Sequence, residues 1–181
     1  MKLRSPLIVC CVLVVAWTSS GRVSGDHQTS TFMIKKVAGE LKATPQAGNE
    51  VAAEMRRSWA EVTDWVTSAA ETVPAEKYNY RPADTVRTFG QLIGHIADSY
   101  NYYCAQAAGQ KVEWFDPIEK GSTDKGTVVP KLKLALEKCN SAYAGEAGQV
   151  RPLIGNVAHT NLHYGNIITY MRMLGMKPPS S

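Results

Sequence analysis

From Asn49 the chain places apolar residues at steps of four and three: Val51, Met55, Trp59, Val62, Val66, Ala69 and Val73. That spacing lines one face of a helix, which Pro74 ends. A second helix opens at Thr88 and Gln91, spaced as a capping box, and runs to Gly109 with Phe89, Leu92, Ile96, Tyr100, Tyr103 and Ala107 as its stripe. Residues 110–127 have no period and many breakers, so they read as a long connection. A third helix is expected to follow Pro130, with Leu132, Ala135, Leu136, Cys139 and Tyr143 turned inward. "GEAGQVRPLIG" reads as a turn, and a fourth helix is expected from near Asn156 to Gly175, ahead of Pro178 and Pro179. No stretch alternates for long enough to be a strand. Four amphipathic helices of about 20 residues each define an all-α chain, a four-helix bundle.

The first 25 residues are of another kind. Lys2 and Arg4 precede an apolar run from Pro6 to Trp17, and small and polar residues follow as far as Gly25. A transmembrane helix needs about 20 apolar residues, so this shorter run reads as a secretory signal peptide cleaved near Gly25. The expected organisation is a signal peptide over 1–25, a flexible arm over 26–48 and a helical domain over 49–181. Its product is exported, periplasmic or secreted, with no stable membrane anchor. The formal charge of +4 then loses Lys2, Arg4 and Arg22, leaving 17 basic against 16 acidic residues. A balance so near zero, with no basic run, opposes nucleic-acid binding. Cys10 and Cys11 leave with the signal, and Cys104 and Cys139 enter an oxidising compartment.

The four histidines are His27, His95, His159 and His163. His27 falls in the arm. On a helical wheel His159 and His163 lie about 40° apart, within the stripe shared by Ile167, Tyr170 and Leu174. Residues four apart stand roughly 5–6 Å from each other at Cβ, so both imidazoles can reach one ion or can be a buried structural pair. His95 sits at the edge of the second helix's stripe, able to face a neighbouring helix.

"RPADTVRTFGQLIGHIADSYNYY" and "NVAHTNLHYGNIITYMRMLGMKPPSS" together resemble the DinB superfamily of bacterial metal-binding four-helix proteins. Its members typically carry one histidine in the second helix and an H-x-x-x-H pair in the fourth, matching His95, His159 and His163. The resemblance spans roughly residues 49–181. It implies an up-down-down-up bundle with 110–127 as the crossover between parallel helices, which brings Cys104 and Cys139 to similar levels where a bridge can form. It also implies a divalent ion on three neutral imidazoles, for which zinc, nickel and iron are all suitable. Binding needs neutral imidazoles, so affinity should fall as pH drops through about 6.5.

Asp98 and Asn166, each three residues beyond a histidine, are the candidates to orient a ligand or touch a substrate. Many relatives have Gln where Asn166 stands. Tyr102 and Tyr164 flank the histidines and read as packing residues, with proton donation as the alternative. The family's chemistry implies thiol transfer to an electrophile, whereas export away from cytosolic thiols shifts the expectation toward metal-dependent hydrolase or lyase chemistry on a small molecule. The alternative is a non-catalytic protein capturing a metal or small ligand at the same site. A homodimer is compatible with either reading.

Overall fold

The computed structural model describes residues 45–145 and 149–181, with side chains from residue 48 onward. The signal segment 1–25 and nearly all of the arm 26–48, His27 included, lie outside the described residues. Four helices follow in order: α1 (Pro45–Thr72), α2 (Phe89–Ala107), α3 (Lys125–Ala144) and α4 (Val150–Met173). A 3-10 turn at Ala75–Lys77 follows α1. Among the described residues there is no strand. No helix there is long and apolar enough to cross a membrane.

Three helix starts lie upstream of where the sequence pattern places them, each with a proline in its first two turns. α1 begins at Pro45 rather than Asn49, inside the segment read as arm. α4 begins at Val150 rather than Asn156, with Pro152 in its first turn. Proline is tolerated there because the first amide groups of a helix have no intrahelical partner. This early start turns Leu153 and Asn156 inward, and the Tyr143 hydroxyl donates to the Leu153 carbonyl at 2.8 Å. α3 begins at Lys125, so Pro130 lies inside the helix instead of ahead of it. The turn before Pro130 forms because it buries Val128 completely, while Pro130 itself is exposed. The burial of Val128 offsets the backbone bond that proline forfeits.

The predicted capping box is present: the Gln91 amide donates to Thr88 Oγ1 at 3.2 Å, and the Thr88 amide donates to Gln91 Oε1 at 2.9 Å. The stripe residues from Trp59 to Val73 are buried, whereas Val51, near the start of α1, is exposed. Trp59 stacks on Tyr143 of α3 and meets Tyr100 of α2 edge-on, and its indole N–H donates to Asn140 at 2.9 Å. Cys104 of α2 is bonded to Cys139 of α3, with Cα atoms 5.4 Å apart. Lys125, at the start of α3, donates its ammonium to the Val73 carbonyl just past the end of α1 at 2.8 Å. The Tyr170 hydroxyl, near the end of α4, donates to the Arg87 carbonyl just ahead of α2 at 2.8 Å.

α2 differs from an ordinary amphipathic helix: Leu92 to Tyr100 are all buried, without a solvent face. The connection between α2 and α3 lies against its outer side. Gly90 and Gly94 make the close approach possible, because a Cβ at Gly94 would stand 2.9 Å from Glu119 Cα, and one at Gly90 would collide with the Thr123 carbonyl oxygen. Asp98 fastens the same segment, accepting the amide N–H of Ile118 at 3.1 Å and of Glu119 at 2.9 Å. What reads in sequence as a loose connection is therefore moored to the histidine-bearing helix.

Candidate metal centre

His95 comes from the buried middle of α2, and His159 and His163 from successive turns of α4. One candidate ligand atom from each lies within 4.8 Å of the other two. Ring centroids are 5.1 Å apart for His95 and His159, 4.7 Å for His95 and His163, and 4.4 Å for His159 and His163. The structure thus brings together the three histidines that the sequence nominates.

His159 Nε2 and His163 Nε2 face each other at 3.2 Å. Two nitrogens each about 2.0–2.1 Å from one zinc ion would stand roughly 3.3 Å apart in a tetrahedral arrangement, so the pair fits that donor geometry. An N–H···N hydrogen bond has a similar length. The Nδ1 atoms of both rings are buried and have no partner among the described residues. Between them the two imidazoles therefore make no hydrogen bond to any group but each other, a shortfall that buried polar groups ordinarily avoid.

Electrostatics keep the pair neutral. Burial lowers the His159 pKa to about 4, helped by His95 and Arg87 and opposed by Asp116. Burial lowers that of His163 to about 3, helped by His159, His95 and Arg87. Both rings hold free lone pairs at neutral pH, as metal ligands must.

His95 has a different environment. Its Nδ1 is 2.9 Å from Glu119 Oε2 and 3.3 Å from Asp116 Oδ1. Arg87 grips the same carboxylate, with Nε 2.8 Å from Oε1 and Nη2 3.3 Å from Oε2. With Glu119 Oε2 and Asp116 Oδ1 as acceptors beside it, and Arg87 Nη2 bordering it at 3.2 Å, Nδ1 is the nitrogen of His95 disposed to donate, which leaves Nε2 as the one disposed to take a metal. A carboxylate behind a histidine in this manner is the usual support of a metal-ligating imidazole. His95, Asp116 and Glu119 also form a second group close enough to hold an ion. Because Arg87 and His95 already engage Glu119, the trihistidine group is the better-disposed donor set.

The two other nominated residues separate. Asp98 is buried, but its carboxylate holds the backbone at Ile118 and Glu119 and so sets the position of Glu119 behind His95. Burial raises the Asp98 pKa, against the lowering by those two N–H groups. Asn166 is exposed and makes no hydrogen bond to the cluster. Tyr164 stacks on Trp65 with centroids 5.3 Å apart, and its hydroxyl accepts the Ser180 amide. Tyr102 accepts from Gln106 and lies edge-on to Trp114.

Sequence reasoning missed Arg87, Trp114, Asp116 and Glu119. Three of these lie on the 110–127 connection, whose lack of period gives no hint of its path. The available signals were Gly90 and Gly94, four residues apart, and the unbroken apolar character of "LIGHIADSY", which together mark a helix approached from both sides.

The sequence model of the DinB superfamily matches residues 64–144. The crystal structure of a DinB-like protein from Bacillus cereus ATCC 10987 superposes with a TM-score of 0.57 at 18% identity, covering 69% of this chain and 93% of that one. No curated protein sequence matches this chain.

Proposed function

From a chain that matches the DinB superfamily over residues 64–144 and carries a DinB-like fold, we propose an exported protein that holds one divalent ion on His95, His159 and His163 and uses it on a small molecule. The observation that carries this reading is the convergence of three imidazoles from two helices, with candidate ligand atoms within 4.8 Å of one another. Zinc, nickel and iron all suit nitrogen donors, and availability selects among them. The bundle is read as up-down-down-up, with the connection after α2 as its crossover. The Cys104–Cys139 bond between α2 and α3 supports that reading, as does the pairing of Gly90 with Thr123 at the opposite end of α2.

A divalent ion on three neutral ligands supplies Lewis acidity and lowers the pKa of a donor group that it takes up. The chain's own contributions are specific. Glu119 and Arg87 fix the tautomer and orientation of His95, Asp98 keeps Glu119 in place, and burial keeps His159 and His163 unprotonated. Hydrolase or lyase-type chemistry, or thiol transfer, fits such a centre. A second reading, non-catalytic capture of a metal or small ligand, draws support from the nearby carboxylates. Asp116 is taken by Trp114, and Glu119 by Arg87 and His95, so neither stands ready as a general base.

The test begins with elemental analysis of protein from its native compartment and N-terminal sequencing of that material. Alanine substitution of His95, His159 or His163 should weaken zinc and nickel binding at least 10- to 100-fold by isothermal titration, with the helical content kept. His27→Ala should change nothing. Unaltered affinity in His159→Ala would favour a buried structural pair. Turnover of esters, amides or thiol electrophiles that stops on chelation would separate the enzyme from the binder.

A further inference from the structure

We propose that Trp114, with Tyr102 and Tyr103, forms a stacking wall beside the histidine cluster, and that the molecules taken there are flat aromatic compounds with an anionic donor head. This rests on the metal-centre reading. Trp114 lies on the connection moored to α2, and its ring centroid is 5.4 Å from that of His95 and 5.7 Å from that of His159. Tyr102 stands 4.9 Å from it and Tyr103 6.2 Å, while Tyr103 is 5.8 Å from His159. A molecule reaching the histidines on this side must pass along the indole.

Three features mark Trp114 as a binding surface rather than a packing residue. It is 38% exposed on a segment without helix, so the indole forgoes much of the burial that a side chain of its size ordinarily gains. It is nonetheless fixed, because its Nε1 donates to Asp116 Oδ1 at 2.9 Å, and that oxygen is 3.3 Å from His95 Nδ1. Holding the ring in place beforehand reduces the ordering a ligand must impose. Finally, each of the four neighbouring rings meets it at 52° to 70°, so none of them stacks in parallel on the indole. A planar ligand ring can lie there. The donor head is anionic because three neutral imidazoles leave the charge of a divalent ion uncompensated, the cations nearby, Arg87 and Lys120, being paired with Glu119 and Asp116.

The experiment uses the full chain loaded with zinc and three probes sharing one metal-binding head: benzohydroxamate, cyclohexanecarbohydroxamate and acetohydroxamate. Zinc affinity is measured separately in each variant. Benzohydroxamate should bind tighter than its saturated counterpart by about 3- to 10-fold. Trp114→Ala should remove that margin with zinc affinity unchanged, and Trp114→Phe, which keeps a ring, should retain most of it. Equal binding of the aromatic and saturated probes would overturn the inference, as would a margin that survives Trp114→Ala. So would tighter binding of all three probes in Trp114→Ala, the behaviour of an indole that shuts the centre, or zinc binding without any hydroxamate binding. Failure of the parent to bind zinc would instead overturn the metal-centre reading.

Discussion

At the scale of single residues, the centre is governed by which nitrogens carry protons. The sequence alone places proton competition at the ordinary histidine pKa of about 6.5. Burial moves His159 to about 4 and His163 to about 3, so at neutral pH neither ring must lose a proton before it binds an ion. The same shifts bear on the metal-free fold. Between about pH 6.5 and 4 the unfolded chain protonates these imidazoles while the folded chain does not, so stability from this source is complete above pH 6.5 and falls as pH drops. Denaturant titration of metal-free protein should therefore show the parent losing stability across that window more steeply than a His159→Gln, His163→Gln double variant. Parallel curves would mean that the two imidazoles are not held neutral by the fold.

At the scale of elements, the decisive contact is between α2 and the connection that crosses it. Gly94 precedes His95, and the absence of a side chain lets Glu119 approach from outside the helix. In Gly94→Ala the new methyl would meet Glu119 backbone rather than the end of a flexible side chain, so the segment must move away. Metal affinity should fall about 10- to 100-fold, as for other losses behind a ligand, and Glu119→Gln should reproduce part of that fall. Gly126→Ala, at a position with open space around it, is the control. Isothermal titration on the three variants checks this, and equal losses in Gly94→Ala and Gly126→Ala would contradict it. At α1, α3 and α4 the helix starts tell a related story. Proline is a helix breaker in an interior, but here each lies within a first or second turn, and in α3 and α4 burial of the neighbours Val128 and Leu153 rewards the longer helix.

For the molecule as a whole, the bond between Cys104 and Cys139 joins α2 to α3 through two residues 35 apart in the chain. Closing a loop of that length in the unfolded state is worth about 4 kcal/mol by chain entropy, so serine at both positions should lower stability by roughly that amount. Denaturation of a chain beginning at Asp26, compared with its reduced form, measures it. Two titratable thiols in the unfolded, unreduced chain would exclude the bridge. Asn156 packs on both sulfurs, with Nδ2 3.4 Å from Cys139 and 3.8 Å from Cys104, one helical turn before His159.

The amino-acid sequence by itself determined the helices and the histidines, because both are local facts. A 3.6-residue period, a capping box at Thr88 and Gln91, and an i, i+4 pair at His159 and His163 can each be recognised within one or two turns of chain. Only the tertiary structure decided what stands behind and beside those histidines. Glu119 and Asp116 reach His95 across 24 and 21 residues of chain, along a segment whose course is set by contact with Gly90, Gly94 and Asp98 and by no periodicity of its own. Trp114 turns toward the rings along the same segment, while Asn166, on α4, is left exposed. A side chain's neighbours depend on which surfaces pack together, and an aperiodic connection acquires its path only when the helix beneath it exists.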